Sequence, residues 1–261
     1  MDDAFYKQLD ENRFQSTEHT AGPWGPGMQH MGPPAALVMR AVEGVAGGED
    51  RVVARLTVEI LGPVPLGELT VNARLERPGR SVEMVSAELI ADGRPVAVAR
   101  AWRIGASDTS TVQSGLAAPL APPSSGRLIG RPAGWGPGYL DAMEWRALAG
   151  ALGEPGAATV WVRQNVALVE GEEPSPLQRL CAVADSGNGV SGMLPPTEWW
   201  FINTELTVHV QRPPVGEWIC LDAVTSIGPS GVGTARSTLH DLDGQVAFGA
   251  QALMIRPRMA T

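Results

Sequence analysis

The chain has 261 residues, of which 44% are hydrophobic and 18% charged, enough to bury a real core and too apolar for global disorder. A net charge of −8 argues against nucleic acid as a partner, and the two cysteines, Cys181 and Cys220, read as small buried apolar residues, not as a disulfide. No stretch is long and apolar enough to span a bilayer, and Met1-Asp2-Asp3 is acidic, unlike a secretory signal, so the expected location is cytoplasmic.

In chain order, the first structured element expected is a helix. Gly22 to Pro34 is dense in glycine and proline; Pro33 and Pro34 then mark a helix start and Gly44 its stop. Ala35 to Val42 is apolar nearly all round, which implies burial on most sides. Strands are expected at Val52–Ile60, Leu69–Leu75, Ser81–Ile90 and Pro95–Ile104, with turns at Pro78-Gly79-Arg80 and Asp92-Gly93 that make the sheet antiparallel. Gly105 to Gly138, rich in Ser, Pro, Gly and Ala, reads mostly as a connection. Beyond it, Tyr139–Leu152 suggests a short helix and Thr159–Val166 a strand. Ser175 is the N-cap of a second helix, with Pro176 at its first position, that runs to about Ser186 with Gly187 at C′. Strands at Asn203–Gln211, Trp218–Thr225, Gly233–His240 and Val246–Ile255 close the chain.

The second half repeats the first. Leu206-Thr207-Val208 follows Leu56-Thr57-Val58 at an offset of 150, and Asp243-Gly244 follows Asp92-Gly93 at 151. A copy of this size is no solenoid repeat, whose period is about 20–50 residues. It reads as two similar half-domains, a helix and then antiparallel strands, twice, with any pocket shared between them: an α+β fold. The expected organisation is one unit over 1–110, a linker over 111–138 and a second unit over 139–261. Trp24-Gly25-Pro26-Gly27 recurs as Trp135-Gly136-Pro137-Gly138, but not at the repeat offset, and is taken as chance.

Polar residues that one copy holds and the other lacks are the candidates for chemistry. Leu177, Leu180, Cys181 and Ala184 mark the buried face of the second helix, and Asp185 continues it in the last turn, where the helix dipole disfavours a negative charge by about 0.3–1 kcal/mol. Either Asp185 bonds to amides of Ser186-Gly187-Asn188-Gly189 or it does chemistry. Gln251 is an amide on a largely apolar face of the last strand and needs partners, structural or functional; counting back 151 residues places Arg100 opposite it in the repeat. Asn203 opens a strand, where asparagine usually serves a turn. His30 precedes the first helix and could line a pocket. Other motifs fail. Gly187-Asn188-Gly189-Val190-Ser191-Gly192 fits G-x-G-x-x-G but follows a helix instead of opening one. No serine sits in a G-x-S-x-G elbow. His19, His30, His209 and His240 show no metal-ligand spacing, so neither metal nor cofactor is expected. Trp145 and Trp199-Trp200 read as core or interface.

Taken together, Gln29 to Leu37, Arg77 to Val82, Pro174 to Leu180, Ala184-Asp185-Ser186, Phe201 to Val208, Arg212 to Trp218 and Gly249-Ala250-Gln251 resemble, in order and spacing, the double hotdog acyl-CoA thioesterases, over nearly the whole chain. The resemblance implies two tandem units, each a curved antiparallel sheet wrapped around a buried helix. It implies hydrolysis of an acyl thioester by a water that an aspartate, a polar residue and a glutamine activate: Asp185, Asn203 (where the family has threonine) and Gln251. It places the thioester carbonyl at the N-terminus of the first helix, near His30. Pro33 and Pro34 lack N–H groups, so Gly32 and Ala35 remain there as donors. An acyl-CoA or other acyl thioester is the implied partner, and a homo-oligomer, a dimer, the implied assembly. A non-catalytic acyl-binding module stays open as the alternative. A hotdog hydratase would need a histidine soon after the aspartate, and Ser186 to Val190 contains none.

Overall fold

The computed structural model describes residues 3–258 except 24, 26, 49 and 134; Trp24 and Pro26 of the tetrapeptide echo therefore lie outside the described residues. The elements in chain order are β1 (Ala4–Gln8), β2 (Arg13–Ser16), α1 (Gly32–Gly44), β3 (Arg51–Ile60), β4 (Glu68–Arg77), β5 (Val82–Ala91), β6 (Arg94–Gly105), β7 (Arg127–Ile129), β8 (Met143–Ala149), β9 (Ala158–Gln164), β10 (Ala167–Val169), α2 (Pro176–Ala184), α3 (Gly187–Val190), β11 (Trp199–Asn203), β12 (Glu205–Val210), β13 (Trp218–Ile227), β14 (Val232–Asp241) and β15 (Gly244–Pro257).

The strands form one mostly antiparallel sheet in the order β10-β1-β2-β4-β5-β6-β3-β12-β15-β14-β13-β9-β8-β7, with β11 pairing β15; β1 and β10 run parallel. One face of the sheet packs on the helices. Side chains alternate accordingly: Val85, Ala87, Leu89 and Ala91 of β5 are buried, the residues between them only half so. The β5–β6 hairpin turns at Asp92-Gly93, both with positive φ (49° and 71°), the mirror-image turn that matches strand twist.

At the centre of the sheet β3 meets β12 in a ladder that is symmetric about Thr57 and Thr207, whose hydroxyls lie 3.1 Å apart. Thr57 also pairs Arg100, and Thr207 pairs Ala250. The repeat register here is therefore 150, and the first-half counterpart of Gln251 is Ala101, not the exposed Arg100. By the same register Asn203 corresponds to Val53. Ala101 and Val53 are buried, so the first half carries apolar side chains at the two positions where the second carries amides.

α1 begins as its prolines require, but Gly44 does not end it through left-handed backbone; Val45 N–H bonds back to Val42 O, and the buried Arg103 donates to the carbonyls of Val45 (2.8 Å) and Val42 (3.4 Å). Glu83 Oε1 lies 2.6 Å from Arg103 Nη2, so a paired charge closes the helix end, where the dipole favours a cation. α2 starts on the Ser175 cap, whose hydroxyl accepts from Gln178 N–H (3.1 Å).

Four expectations need correction. Tyr139–Leu152 forms no helix: Met143–Ala149 is β8, because pairing with β9 outweighs the helix preference of its Met, Glu, Arg and Ala residues. α2 stops at Ala184, and Gly187, instead of capping it, opens the one-turn α3. The strand expected over Asn203–Gln211 is two strands, β11 and β12, interrupted at Thr204. The sheet also gains the N-terminal β1 and β2, whose Phe5, Tyr6 and Phe14 enter the core, and β7 within the expected connection.

Candidate active site

α1 and α2 pack against each other so that the start of one faces the end of the other. A Cβ on Gly32 would lie 2.3 Å from the Ala182 carbonyl oxygen, so only glycine permits the approach. Asp185 is the residue that caps α2, and it is buried. Burial disfavours its charged form and raises the carboxyl from its usual 3.8 to about 6; hydrogen bonds from Asn203 and Gln251 pull the other way.

Those two amides arrive from adjacent strands. Asn203, the last residue of β11, donates from Nδ2 to Asp185 Oδ1 at 2.8 Å. Gln251, on the inward face of β15, donates from Nε2 to the Asp185 backbone oxygen (3.0 Å) and to Oδ1 (3.3 Å). Gln251 Oε1 accepts the Asn188 backbone N–H at 3.0 Å. This contact fixes which end of the carboxamide faces the aspartate: the NH₂ does. The glycine at 187 makes it feasible, since a Cβ there would meet Ser237 Oγ at 2.6 Å and Gln251 Oε1 at 3.0 Å. Asp185 thus bonds to side-chain amides and not to the amides of its own following turn.

Oδ1 of Asp185 is the shared acceptor of both amides. Oδ2 points instead at His30 Nδ1, 3.5 Å away. His30 is buried, and burial lowers its pKa to about 3, so the imidazole is neutral and the contact is not an ion pair. Nδ1 accepts the Gly32 N–H at 3.0 Å, which leaves the ring proton on Nε2. The Gly32 amide is therefore bound to His30, and the Ala35 N–H bonds to Met31 O at 2.9 Å. At this helix start both amides expected as donors are engaged, and the imidazole stands where they were expected to act.

The structure therefore brings together Asp185, Asn203, Gln251, His30 and Gly32, with Ala35 one turn behind. Sequence reasoning missed Tyr139, which stacks on His30, and Asn188, which holds Gln251. The signals available were the scarcity of tyrosine, two in the chain, and the polar run directly after Asp185. Among the described residues no three His, Cys, Asp or Glu side chains converge as metal ligands, and no helix is long and apolar enough to cross a membrane. A cleft of about 500 Å³ on the outer sheet face is lined by Arg55, Arg74, Arg100, Glu59, Glu76 and Glu88, among others, and contains none of the residues above.

Comparison with known proteins places the fold and the family. The fold is the hotdog fold: a hot dog fold protein of unknown function from Alicyclobacillus acidocaldarius superposes with a TM-score of 0.76 at 17% identity, covering 99% of this chain and 98% of that one. A candidate thioesterase from Novosphingobium aromaticivorans gives 0.75 at 22% identity over 97% and 98%. An acyl-CoA thioesterase II, TesB2, from Mycobacterium marinum gives 0.66 at 16% over 98% and 96%. Residues 20–104 match the acyl-CoA thioesterase N-terminal domain and residues 121–255 the acyl-CoA thioesterase C-terminal domain, and the chain belongs to that family. No curated protein matches it.

Proposed function

We propose that the chain hydrolyses an acyl-CoA, or a similar acyl thioester, at Asp185. One observation carries the reading. In a chain of the acyl-CoA thioesterase family, a buried carboxylate with a pKa of about 6 has one oxygen bound by two amides and the other turned toward the start of α1. A general base works best with its pKa near the operating pH, and such a group contributes about 10²–10⁴-fold.

In the proposed reaction a water donates to Asp185 Oδ2 and attacks the thioester carbonyl. An O–C bond forms, the water proton passes to Oδ2 and the carbonyl π pair moves to oxygen. When the tetrahedral species collapses, the C–S bond breaks and the sulfur leaves with the proton from Asp185, giving acid and thiol. Asn203 and Gln251 hold Oδ1 so that Oδ2 is the basic atom. His30, its tautomer set by Gly32, donates from Nε2 to the developing oxyanion, so the positive end of α1 acts through the imidazole. Ala35, its N–H engaged within the helix, contributes a small side chain to the helix start. We also read the chain as a double hotdog, with units 1–110 and 139–261 joined through 111–138; the ladder symmetric about Thr57 and Thr207 supports this.

Asp185→Asn tests the mechanism. Free-thiol release from a panel of acyl-CoAs should fall by at least about 10²-fold in the variant, with the fold unchanged. Wild-type turnover in the variant would remove Asp185 from the mechanism. Tight acyl-CoA binding by the native protein without thiol release would instead identify a non-catalytic acyl-binding module.

A further inference from the structure

Tyr139 lies between the two halves' contributions to this site and belongs to neither a helix nor a strand. It is fully buried, and its N–H donates to Ala21 O at 3.0 Å. Its ring stacks on the His30 imidazole, with centroids 3.9 Å and planes 7° apart. Its hydroxyl donates to the Ala182 carbonyl at 2.8 Å and lies 2.9 Å from Ser186 Oγ. Those partners stand three residues before Asp185 and one after it. Phe5 and Trp145 pack around the ring at centroid distances of 6.2 and 6.0 Å, so the ring is braced from several sides.

We infer that Tyr139 is a positioning residue for the proposed hydrolysis: its ring sets the plane of His30 and its hydroxyl sets the turn that carries Asp185. The inference rests on the hydrolytic reading above. The groups against the Asp185 carboxylate are His30 from the segment before α1, Asn203 from β11 and Gln251 from β15, and behind them stand Tyr139 bonded to Ser186 and Asn188 bonded to Gln251. Of these only His30 and Tyr139 titrate, and burial holds both neutral, lowering the one and raising the other. The acid limb of a pH profile therefore reports Asp185. Loss of the hydroxyl misplaces the carboxylate without wetting it; loss of the ring does both.

The test compares Tyr139→Phe, Tyr139→Leu, Ser186→Ala and the Tyr139→Phe/Ser186→Ala double variant, with Asp185→Asn alongside. The readouts are thiol release from acyl-CoA across pH 5–9 and thermal unfolding. Tyr139→Phe should lower kcat about 10-fold with KM within about twofold, the scale of a misplaced catalytic group, and keep the acid limb. Tyr139→Leu should lower kcat about 100-fold and move the acid limb down, toward the ordinary carboxylate range, because water then reaches Asp185. The double variant should lose no more than Tyr139→Phe alone, because Tyr139→Phe already removes the Tyr139–Ser186 bond that Ser186→Ala cuts. The inference is overturned if folded Tyr139→Phe keeps wild-type kcat, if folded Tyr139→Leu keeps the wild-type acid limb, or if the Tyr139→Phe and Ser186→Ala losses multiply in the double variant. If Tyr139→Leu does not fold, Tyr139→Phe, Ser186→Ala and their combination decide. Wild-type turnover by Asp185→Asn would bring down the hydrolytic reading and this inference with it; an inactive Asp185→Asn beside an unaffected Tyr139→Phe would bring down the inference alone.

Discussion

The carboxylate of Asp185 is a charge held out of water, and its cost can be read as a pH dependence. Its folded pKa, about 6, exceeds the ordinary value of 3.8. Stability linked to this group is thus fully present below about pH 4 and is lost as pH rises through 6. A shift of about 2 units corresponds to about 3 kcal/mol, a large share of the roughly 5–15 kcal/mol that holds a domain folded. Asp185→Asn should therefore raise Tm relative to the native protein at pH 8 and much less at pH 4; equal gains at both would show that the pKa is not raised. Activity should follow the opposite course, kcat/KM rising with pH through about 6 as the base ionises. Because both amides stabilise the ionised form, Asn203→Ala and Gln251→Ala should each move that limb above 6. An unmoved limb in both would mean the amides do not set the base.

At the scale of elements, the site exists because two helix ends can touch. The 2.3 Å that would separate a Gly32 Cβ from Ala182 O is shorter than any real contact, and Ala182 O belongs to backbone. Gly32→Ala must push α1 and α2 apart, at about 1–3 kcal/mol, and draw His30 away from Asp185. Gly44→Ala, at the other end of the same helix, meets nothing within 4 Å. We expect the first variant to lose both Tm and most thiol release, and the second to match the native protein; matching behaviour of the two would show that the helix contact is not tight. Strand β8 differs from the helix its sequence suggests for a reason at this same scale. Its residues favour a helix locally, but their alternate burial answers to β9, a partner that local propensity does not reveal.

At the scale of the whole molecule, the halves share one sheet. β3 and β12 join at its centre, and β1, at the far N-terminus, pairs with β10 of the second half. Residues 3–16 contribute Phe5, Tyr6 and Phe14 to the core, each worth about 1.5–3 kcal/mol on burial. A chain that lacks those residues should therefore lose its cooperative unfolding transition in calorimetry. Retention of the native transition would show that β1 and β2 merely decorate the fold.

The sequence by itself determined the repeat, both buried helices, the antiparallel hairpins and the candidacy of Asp185 and Gln251; Asn203 became a candidate only through the resemblance to the thioesterases. The others rest on local or periodic signals: prolines and a serine at helix starts, alternation in strands, and polar residues at positions meant to be apolar. Only the tertiary structure decided the rest. It fixed the repeat register at 150 through the Thr57–Thr207 ladder, and so set Gln251 opposite Ala101. It bound the Gly32 amide to His30 and set Tyr139 and Asn188 around the carboxylate. Apart from the Gly32–His30 bond, which is local, those facts depend on contacts between residues tens to more than a hundred positions apart, and no local pattern in the chain encodes which distant partner a buried polar group will meet.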